Sequence, residues 1–217
     1  MVTTETGISQ VHVCDHPLIK QALAELRQKD TPPATFRDRI NELARYISYE
    51  AAARLPTRQI EVETPLQRTT GEVIAEKQII LAPILRAGLA MVEGAVATFP
   101  HAQMRHIGLY RDERTLQPVE YYVKLPDRLP PETLVIVLDP MLATGGSAAA
   151  TLDIFKRRGV TRLQFLCLIA SPEGVRYVGE QHPDVPIYTA AVDSHLNERG
   201  YIVPGLGDAG DRCFGTV

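Results

Sequence analysis

The feature that most constrains this chain is the stretch from Leu134 to Phe155. An unbroken apolar run, Leu134-Val135-Ile136-Val137-Leu138, ends in Asp139 and Pro140 and continues as Met141-Leu142-Ala143-Thr144-Gly145-Gly146-Ser147. A short apolar run without polar alternation predicts a strand covered on both faces, the usual state in a parallel sheet. Beyond the glycines a helical stretch carries Leu152 and Phe155. Further apolar runs at 79–85 and 163–170, with helical stretches near 88–98, 146–158 and 172–181, repeat the order strand then helix. That alternation predicts an α/β fold, a doubly wound and mainly parallel sheet flanked by helices. Ligands of such sheets bind beyond the carboxyl ends of the strands, which selects the loops at 84–88, 139–147 and 171–174.

The flanking segments are plainer. Ile19, Ala22, Leu23 and Leu26 share one helical face, with Asp15 and Pro17 as start signals, and Phe36, Ile40, Leu43 and Ile47 repeat the pattern. These two helices read as an N-terminal flank that carries no chemistry. Gln59–Glu63 alternates as a half-buried strand, and Thr70-Gly71 predicts a turn. Residues 111–126 hold Arg111, Asp112, Glu113, Arg114 and Lys124 with Pro118 and Pro126, and read as a protruding charged arm. No repeat or low-complexity linker divides the 217 residues, so a single domain over 1–217 is expected, with 45% hydrophobic residues to fill its core.

Charge and cysteine usage exclude several classes. A net charge of -3 opposes a general nucleic-acid binder, which would carry an excess of Lys and Arg. Cys14, Cys167 and Cys213 have neither disulfide-framework nor zinc spacing, and are expected as free thiols in a reducing cytoplasm. The N-terminus lacks a signal-peptide pattern, and the apolar runs are too short to span a bilayer, so no membrane partner is expected. His12, His16, His101, His106, His182 and His195 lack metal-site spacing. The adjacent Asp193, Ser194 and His195 read as local structure, because triad members meet in space rather than in a run.

The loop after Leu138 carries the chemistry. A helix N-terminus presents unpaired N–H groups and a partial positive charge, which suits a phosphate. Gly145 and Gly146 admit close approach of the backbone, and Thr144 and Ser147 add hydroxyl donors. No Lys follows the glycines, which excludes the Walker-type loop. Asp139 at the strand end suits sugar hydroxyls. Arg86, in Leu85-Arg86-Ala87-Gly88, stands at another strand end, where a guanidinium fork fits phosphate oxygens. Gly205-Leu206-Gly207-Asp208-Ala209-Gly210 matches the dinucleotide fingerprint G-x-G-x-x-G, yet the chain ends at Val217, without room for the helix and second strand that fingerprint needs. A tight loop whose backbone faces a small ligand is the better reading.

Asp139 to Ser147 resembles the phosphoribosyl pyrophosphate motif of type I phosphoribosyltransferases. The second acid usual there is replaced by Pro140, and Asp-Pro-Met-Leu-Ala-Thr-Gly-Gly-Ser resembles the form found in uracil phosphoribosyltransferases. Leu85-Arg86-Ala87-Gly88, Tyr110-Arg111 and Tyr201–Asp211 resemble that family too, as do His16-Pro17-Leu18, Tyr49-Glu50-Ala51, Ser171–Gly174 and His182–Val185.

The resemblance implies transfer of a phosphoribosyl group to uracil, giving UMP and pyrophosphate. It implies phosphoribosyl pyrophosphate contacts at Arg86, Arg111, Asp139, Pro140, Met141, Leu142, Ala143, Thr144, Gly145, Gly146, Ser147 and Asp208. Uracil contacts fall at Ile202, Gly207, Asp208 and Ala209, and the catalytic set is Arg86, Arg111, Asp139 and Asp208. Mg2+ held mainly by pyrophosphate and water, GTP as an activator, a dimer or tetramer, and a small hood built from the N-terminal and C-terminal segments also follow from it. The competing reading is a regulator that uses the same fold to sense UMP and bind RNA.

Overall fold

Side chains on the strand Thr133–Leu138 divide between two apolar layers, with Leu134, Ile136 and Leu138 in one and Val135 and Val137 in the other. Successive strand residues point to opposite faces, so an unbroken apolar run is what a strand covered on both sides requires. The computed structural model describes residues 11–111 and 118–216. Among them, this strand lies inside a sheet ordered Val11–Val13, Ile187–Thr189, Arg162–Leu166, Thr133–Leu138, Gln78–Leu85, Ile107–Arg111 and Pro118–Val123. Gln103–Met104 also pairs with Gln78–Leu85. All pairings in this sheet are parallel except that of Ile107–Arg111 with Pro118–Val123.

Helices cover both faces. On one side lie α1 (Pro17–Arg27), α2 (Pro33–Ala52), the 3-10 turn Ala87–Met91 and α3 (Val92–Thr98), contributing Ile19, Leu26, Phe36, Ile40, Met91 and Ala95. On the other lie α4 (Gly146–Lys156) and α5 (Pro172–Gln181), contributing Leu152, Phe155, Val175 and Val178. The α2 face Phe36, Ile40, Leu43 and Ile47 is fully buried, as its spacing requires. Truncating Ile40 to Ala would cost about 2–5 kcal/mol, because transfer and cavity terms add. A short helix, α6 (Ala209–Phe214), ends the described chain.

Five details differ from expectation. The start of α1 is capped by His16, whose Nδ1 accepts the Leu18 N–H at 3.2 Å, and not by Asp15, which instead pairs with Lys20. Thr70 and Gly71 lie within the strand Arg68–Ile74, and the hairpin turns at 64–67, where the Thr64 hydroxyl accepts the N–H groups of Leu66 and Gln67. The apolar run 163–170 divides into Arg162–Leu166 and Ile169–Ala170. The C-terminal glycines form a tight loop over 205–208, but a short helix not expected there, α6, follows it, with Asp208 as N-cap and Gly215 in the left-handed region at φ 63°. The arm near 111–126 is in part an antiparallel hairpin, Ile107–Arg111 with Pro118–Val123, and residues 112–117 lie outside the described residues.

The sheet order reverses between Gln78–Leu85 and Thr133–Leu138. From the first strand the chain runs outward to Ile107–Arg111, and then returns to the second on the opposite side. Pro83 pairs with Leu138 in register, so Asp139 leaves the sheet at this switch point and Arg86 leaves it two residues further along the neighbouring strand. Beyond the main sheet, Met141–Leu142, Ile169–Ala170 and Ala191–Val192 form a second parallel ladder that carries the strand ends toward the loops.

Candidate active site

Asp139 follows directly on the buried strand and remains partly exposed at the sheet's carboxyl edge. Its Oδ1 accepts the Met141 N–H at 3.2 Å, which turns the chain into the Met141–Leu142 pairing. Burial pushes its carboxyl pKa up to about 7, against the opposing pull of the Met141 N–H. A raised carboxyl pKa at a sheet's carboxyl edge makes Asp139 a candidate site residue.

Gly145 is the N-cap of α4 at φ 84°, a conformation that L side chains rarely adopt, and no side chain caps this helix. The first-turn N–H groups therefore face the loop, beside the exposed side chains of Thr144 and Ser147. Helix α5 holds the loop from below. Ser171 caps α5 by accepting the Gly174 N–H at 2.8 Å, and its hydroxyl donates to the Ala143 carbonyl at 2.6 Å. The Ser171 N–H donates to the Leu142 carbonyl at 2.9 Å. The loop thus has its carbonyls tied downward to the scaffold and its helix N-terminus free to meet an anion.

Arg86 follows a cis peptide bond from Leu85 and opens the Ala87–Met91 turn. Gly88 lets that turn lie against the neighbouring strand end, since a Cβ there would sit 2.5 Å from the Leu138 carbonyl oxygen. The Arg86 side chain is exposed and its Nη2 lies 3.6 Å from Asp211 Oδ1, in the first turn of α6.

The C-terminal segment completes the arrangement. Ile202–Val203 pairs with His195–Leu196, the Val203–Pro204 bond is cis, and Gly205 and Gly207 have φ of 62° and 78°. Asp208 Oδ1 accepts the Asp211 N–H at 2.9 Å. A Cβ on Gly210 would be 4.0 Å from Ala87 Cβ, which sets α6 against the Arg86 turn. Ile202, Leu206 and Ala209 share one apolar layer with Ala87, Met141 and Ala143. Glu173 Oε1 accepts the Leu196 N–H at 3.1 Å and ties α5 to the same segment.

Arg86, Asp139 to Ser147, Ile202, Gly207, Asp208 and Ala209 therefore gather at one edge of the fold. Arg111 ends its strand three residues beyond Gly108, the partner of Leu85, so its backbone lies toward the same edge; its side chain lies outside the described residues. A cavity of about 460 Å³ bordered by Ile74, Ile79, Phe99 and His101 lies at the opposite, amino end of Gln78–Leu85 and contains none of these residues.

Sequence reasoning selected the loop 171–174 without giving Gly174 a role, and it missed Tyr177 and Arg27. Gly174 and Tyr177 pack against the loop 143–147, with a Cβ on Gly145 reaching 2.9 Å from Tyr177. Arg27, on a helix read as a plain flank, reaches Asp193 and Gly205. Only Gly174 carried a signal, through the Ser-Pro-Glu-Gly run; a single Arg on an amphipathic helix carries none.

A family model described as uracil phosphoribosyltransferase matches residues 13–216. A protein of Symbiobacterium thermophilum named uracil phosphoribosyltransferase is 56% identical over 209 residues, covering 96% of this chain and all of that protein. The solved structure of the AQ2163 protein from Aquifex aeolicus superposes with a TM-score of 0.88 at 36% identity, covering 94% of this chain and 97% of that one. A hypoxanthine-guanine phosphoribosyltransferase of Bacillus anthracis, at 13% identity, shares the fold with a TM-score of 0.50 over 74% of this chain and 80% of its own. The sheet, its switch point and the loop 139–147 thus sit within a sequence match that runs almost end to end, and the chain belongs to the uracil phosphoribosyltransferase family.

Proposed function

We propose that the chain transfers the phosphoribosyl group of phosphoribosyl pyrophosphate to uracil, giving UMP and pyrophosphate for pyrimidine salvage. One observation carries this reading: an uncapped helix N-terminus at Gly145 and the glycine segment 205–210 lie at the same sheet edge, in a chain of this family. The first suits the ribosyl 5′-phosphate and the second suits a base with alternating donors and acceptors.

In this reading the phosphate sits on Ala143–Ser147 and the ribose hydroxyls on Asp139, while Arg86 and Arg111 hold the pyrophosphate. As the bond to pyrophosphate lengthens, C1′ becomes oxocarbenium-like, as in glycoside chemistry. Fixed donors on the departing pyrophosphate and a fixed base supply most of the acceleration. Uracil binds on Ile202, Gly207, Asp208 and Ala209, and the 4-amino group of cytosine would leave a buried partner unpaired there.

Mg2+ belongs to this proposal. Among the described residues no three His, Cys, Asp or Glu side chains cluster as ligands, and an ion carried by pyrophosphate and water needs no such cluster. Asp139 and Asp208 are the carboxylates of the two loops, and the ion would neutralise pyrophosphate charge beside them. GTP enters the proposal as an activator through the family resemblance alone.

A homo-oligomer is supported by the hairpin Thr57–Glu63 and Arg68–Ile74. Ile60, Val62 and Val73 are only half-buried and Leu66 is 94% exposed, whereas a two-stranded hairpin is marginal without a further surface. A cytoplasmic setting suits three cysteines that remain free. No helix among the described residues is long and apolar enough to cross a membrane. Nothing favours the RNA-binding regulator, given the net charge of -3.

The test is UMP formation from uracil and phosphoribosyl pyrophosphate with Mg2+, beside cytosine, hypoxanthine and orotate, with and without GTP. Uracil-selective turnover is expected. Absence of turnover with every base, GTP included, would overturn the reading.

A further inference from the structure

Asp193 and Gly205 lie at the junction between the sheet extension and the glycine segment, and Arg27 reaches both from the end of α1. Arg27 Nη1 donates to Asp193 Oδ2 at 2.8 Å and to the Gly205 carbonyl at 2.7 Å, while Nη2 donates to Asp193 Oδ1 at 2.5 Å. The Gly205 N–H in turn donates to Asp193 Oδ2 at 2.9 Å. One ion pair therefore fixes both the donor and the acceptor of a single peptide residue. The Asp193 side chain is 5% exposed and that of Arg27 24%, so water screens the pair little.

The surroundings extend this clamp. The Asp193 N–H donates to the Ala170 carbonyl at 2.8 Å, which anchors the acid on the parallel ladder. Arg212 Nη1 donates to the carbonyls of Leu206 and Leu26, both at 2.7 Å, and its guanidinium lies 4.2 Å above the Phe36 ring. Gly205 also admits no side chain, since a Cβ there would meet the Ile202 carbonyl oxygen at 2.1 Å. Gly205 and Leu206 are thus pinned to α1 immediately before Gly207, Asp208 and Ala209.

We propose that Arg27 and Asp193 are positioning residues that set the affinity and selectivity for uracil by fixing Gly205 at both its N–H and its carbonyl. This rests on the reading of residues 202–209 as the base site. Readout by backbone groups tolerates little displacement, and a shift of an ångström costs on the order of 100-fold in productive geometry. The helix that seemed a mere flank then acts as the fixed reference for base recognition.

The experiment compares the full chain with Arg27→Lys, Arg27→Ala and Asp193→Asn. Lysine keeps the charge but cannot serve two carboxylate oxygens and a carbonyl in one planar fork. In Arg27→Lys the KM for uracil is expected to rise about tenfold or more, with the KM for phosphoribosyl pyrophosphate within about twofold. Cytosine should gain relative to uracil. Guanidinium ion at non-denaturing concentration should restore part of the uracil affinity of Arg27→Ala, whereas sodium chloride at equal ionic strength should not.

Unchanged uracil KM, or both KM values rising together without a guanidinium response, would overturn the proposal. Should Arg27→Ala fail to fold, the lysine and asparagine variants decide by the same split. Amide hydrogen exchange at Gly205–Gly210 gives a readout free of turnover: acceleration in Arg27→Lys by about tenfold is expected, and unchanged exchange overturns the clamp. A parent chain that fails to turn over uracil counts against the function, while an active parent with parent-like variants counts against the clamp alone.

Discussion

Gly174 and Ala143 meet so closely that a Cβ on the glycine would lie 2.3 Å from the alanine carbonyl oxygen, and 2.8 Å from that of Leu142. The obstacle is backbone on the loop read as the phosphate cradle. Gly174→Ala must therefore push α5 and the loop apart. Overpacking of this kind costs about 1–3 kcal/mol. The expected outcome is a lower Tm together with a KM for phosphoribosyl pyrophosphate raised by roughly tenfold or more. Thermal melts and initial-rate kinetics on the same preparation check it.

Gly146 gives the complementary case. A Cβ there meets nothing nearer than Thr144 Oγ1 at 3.8 Å, and the residue already lies in α4. Gly146 opens α4, where the helix-interior advantage of alanine over glycine applies only in part, so Gly146→Ala should leave Tm nearly unchanged. A bound phosphate, however, needs the space above the Gly146 N–H. The variant is expected to be stable and to bind phosphoribosyl pyrophosphate poorly, seen as a raised KM against an unchanged melt. An unchanged KM would move the phosphate away from this helix end.

The two glycines differ in how far sequence alone could reach them. Gly146 belongs to a local pattern of strand, acid, small residues and helix, and each part has a near-neighbour cause. The same holds for the strand 134–138, whose apolar run follows from cover on both faces. Gly71 misled because a glycine beside a threonine suits a turn, while here it pairs with Ile60 inside a hairpin, and a Cβ would lie 3.0 Å from the Val62 side chain. Arg27 could not be read at all. Its partners lie 166 and 178 residues away, and only the packing of α1 against the C-terminal segment brings them together.

Asp208 has one visible role and one proposed. Its Oδ1 caps α6 through the Asp211 N–H at 2.9 Å, and the proposed function adds a charge that acts on substrate. Asparagine keeps the capping oxygen and loses the charge; alanine loses both. Asp208→Ala should cost about 1 kcal/mol of stability, and Asp208→Asn close to none. Both should lose turnover with uracil if the charge acts on substrate. Activity retained in the asparagine variant would leave Asp208 with a capping role only.

Asp139 sets the dependence on pH. Its carboxyl is raised from 3.8 to about 7, with burial as the main cause. The folded chain therefore holds a proton between those values that the unfolded chain has released. The Asp139 contribution to stability therefore falls as pH rises through that window and levels off above about 7, while His12 and His182, both held below the usual imidazole range by burial, act in the opposite direction up to about 6.5. Asp139→Asn should flatten this slope and melt higher than the parent at pH 8, since no charge is then left in a poorly hydrated place. Substrate binding should run the other way. An ionised carboxylate accepts ribose hydroxyls better than a neutral acid, so the parent KM for phosphoribosyl pyrophosphate should fall as pH rises through about 7. In Asp139→Asn that KM should be higher and independent of pH over the same range. Melting curves and KM measured from pH 5.5 to 8.5 test both halves, and a parent KM that stays flat would remove Asp139 from the ribose site.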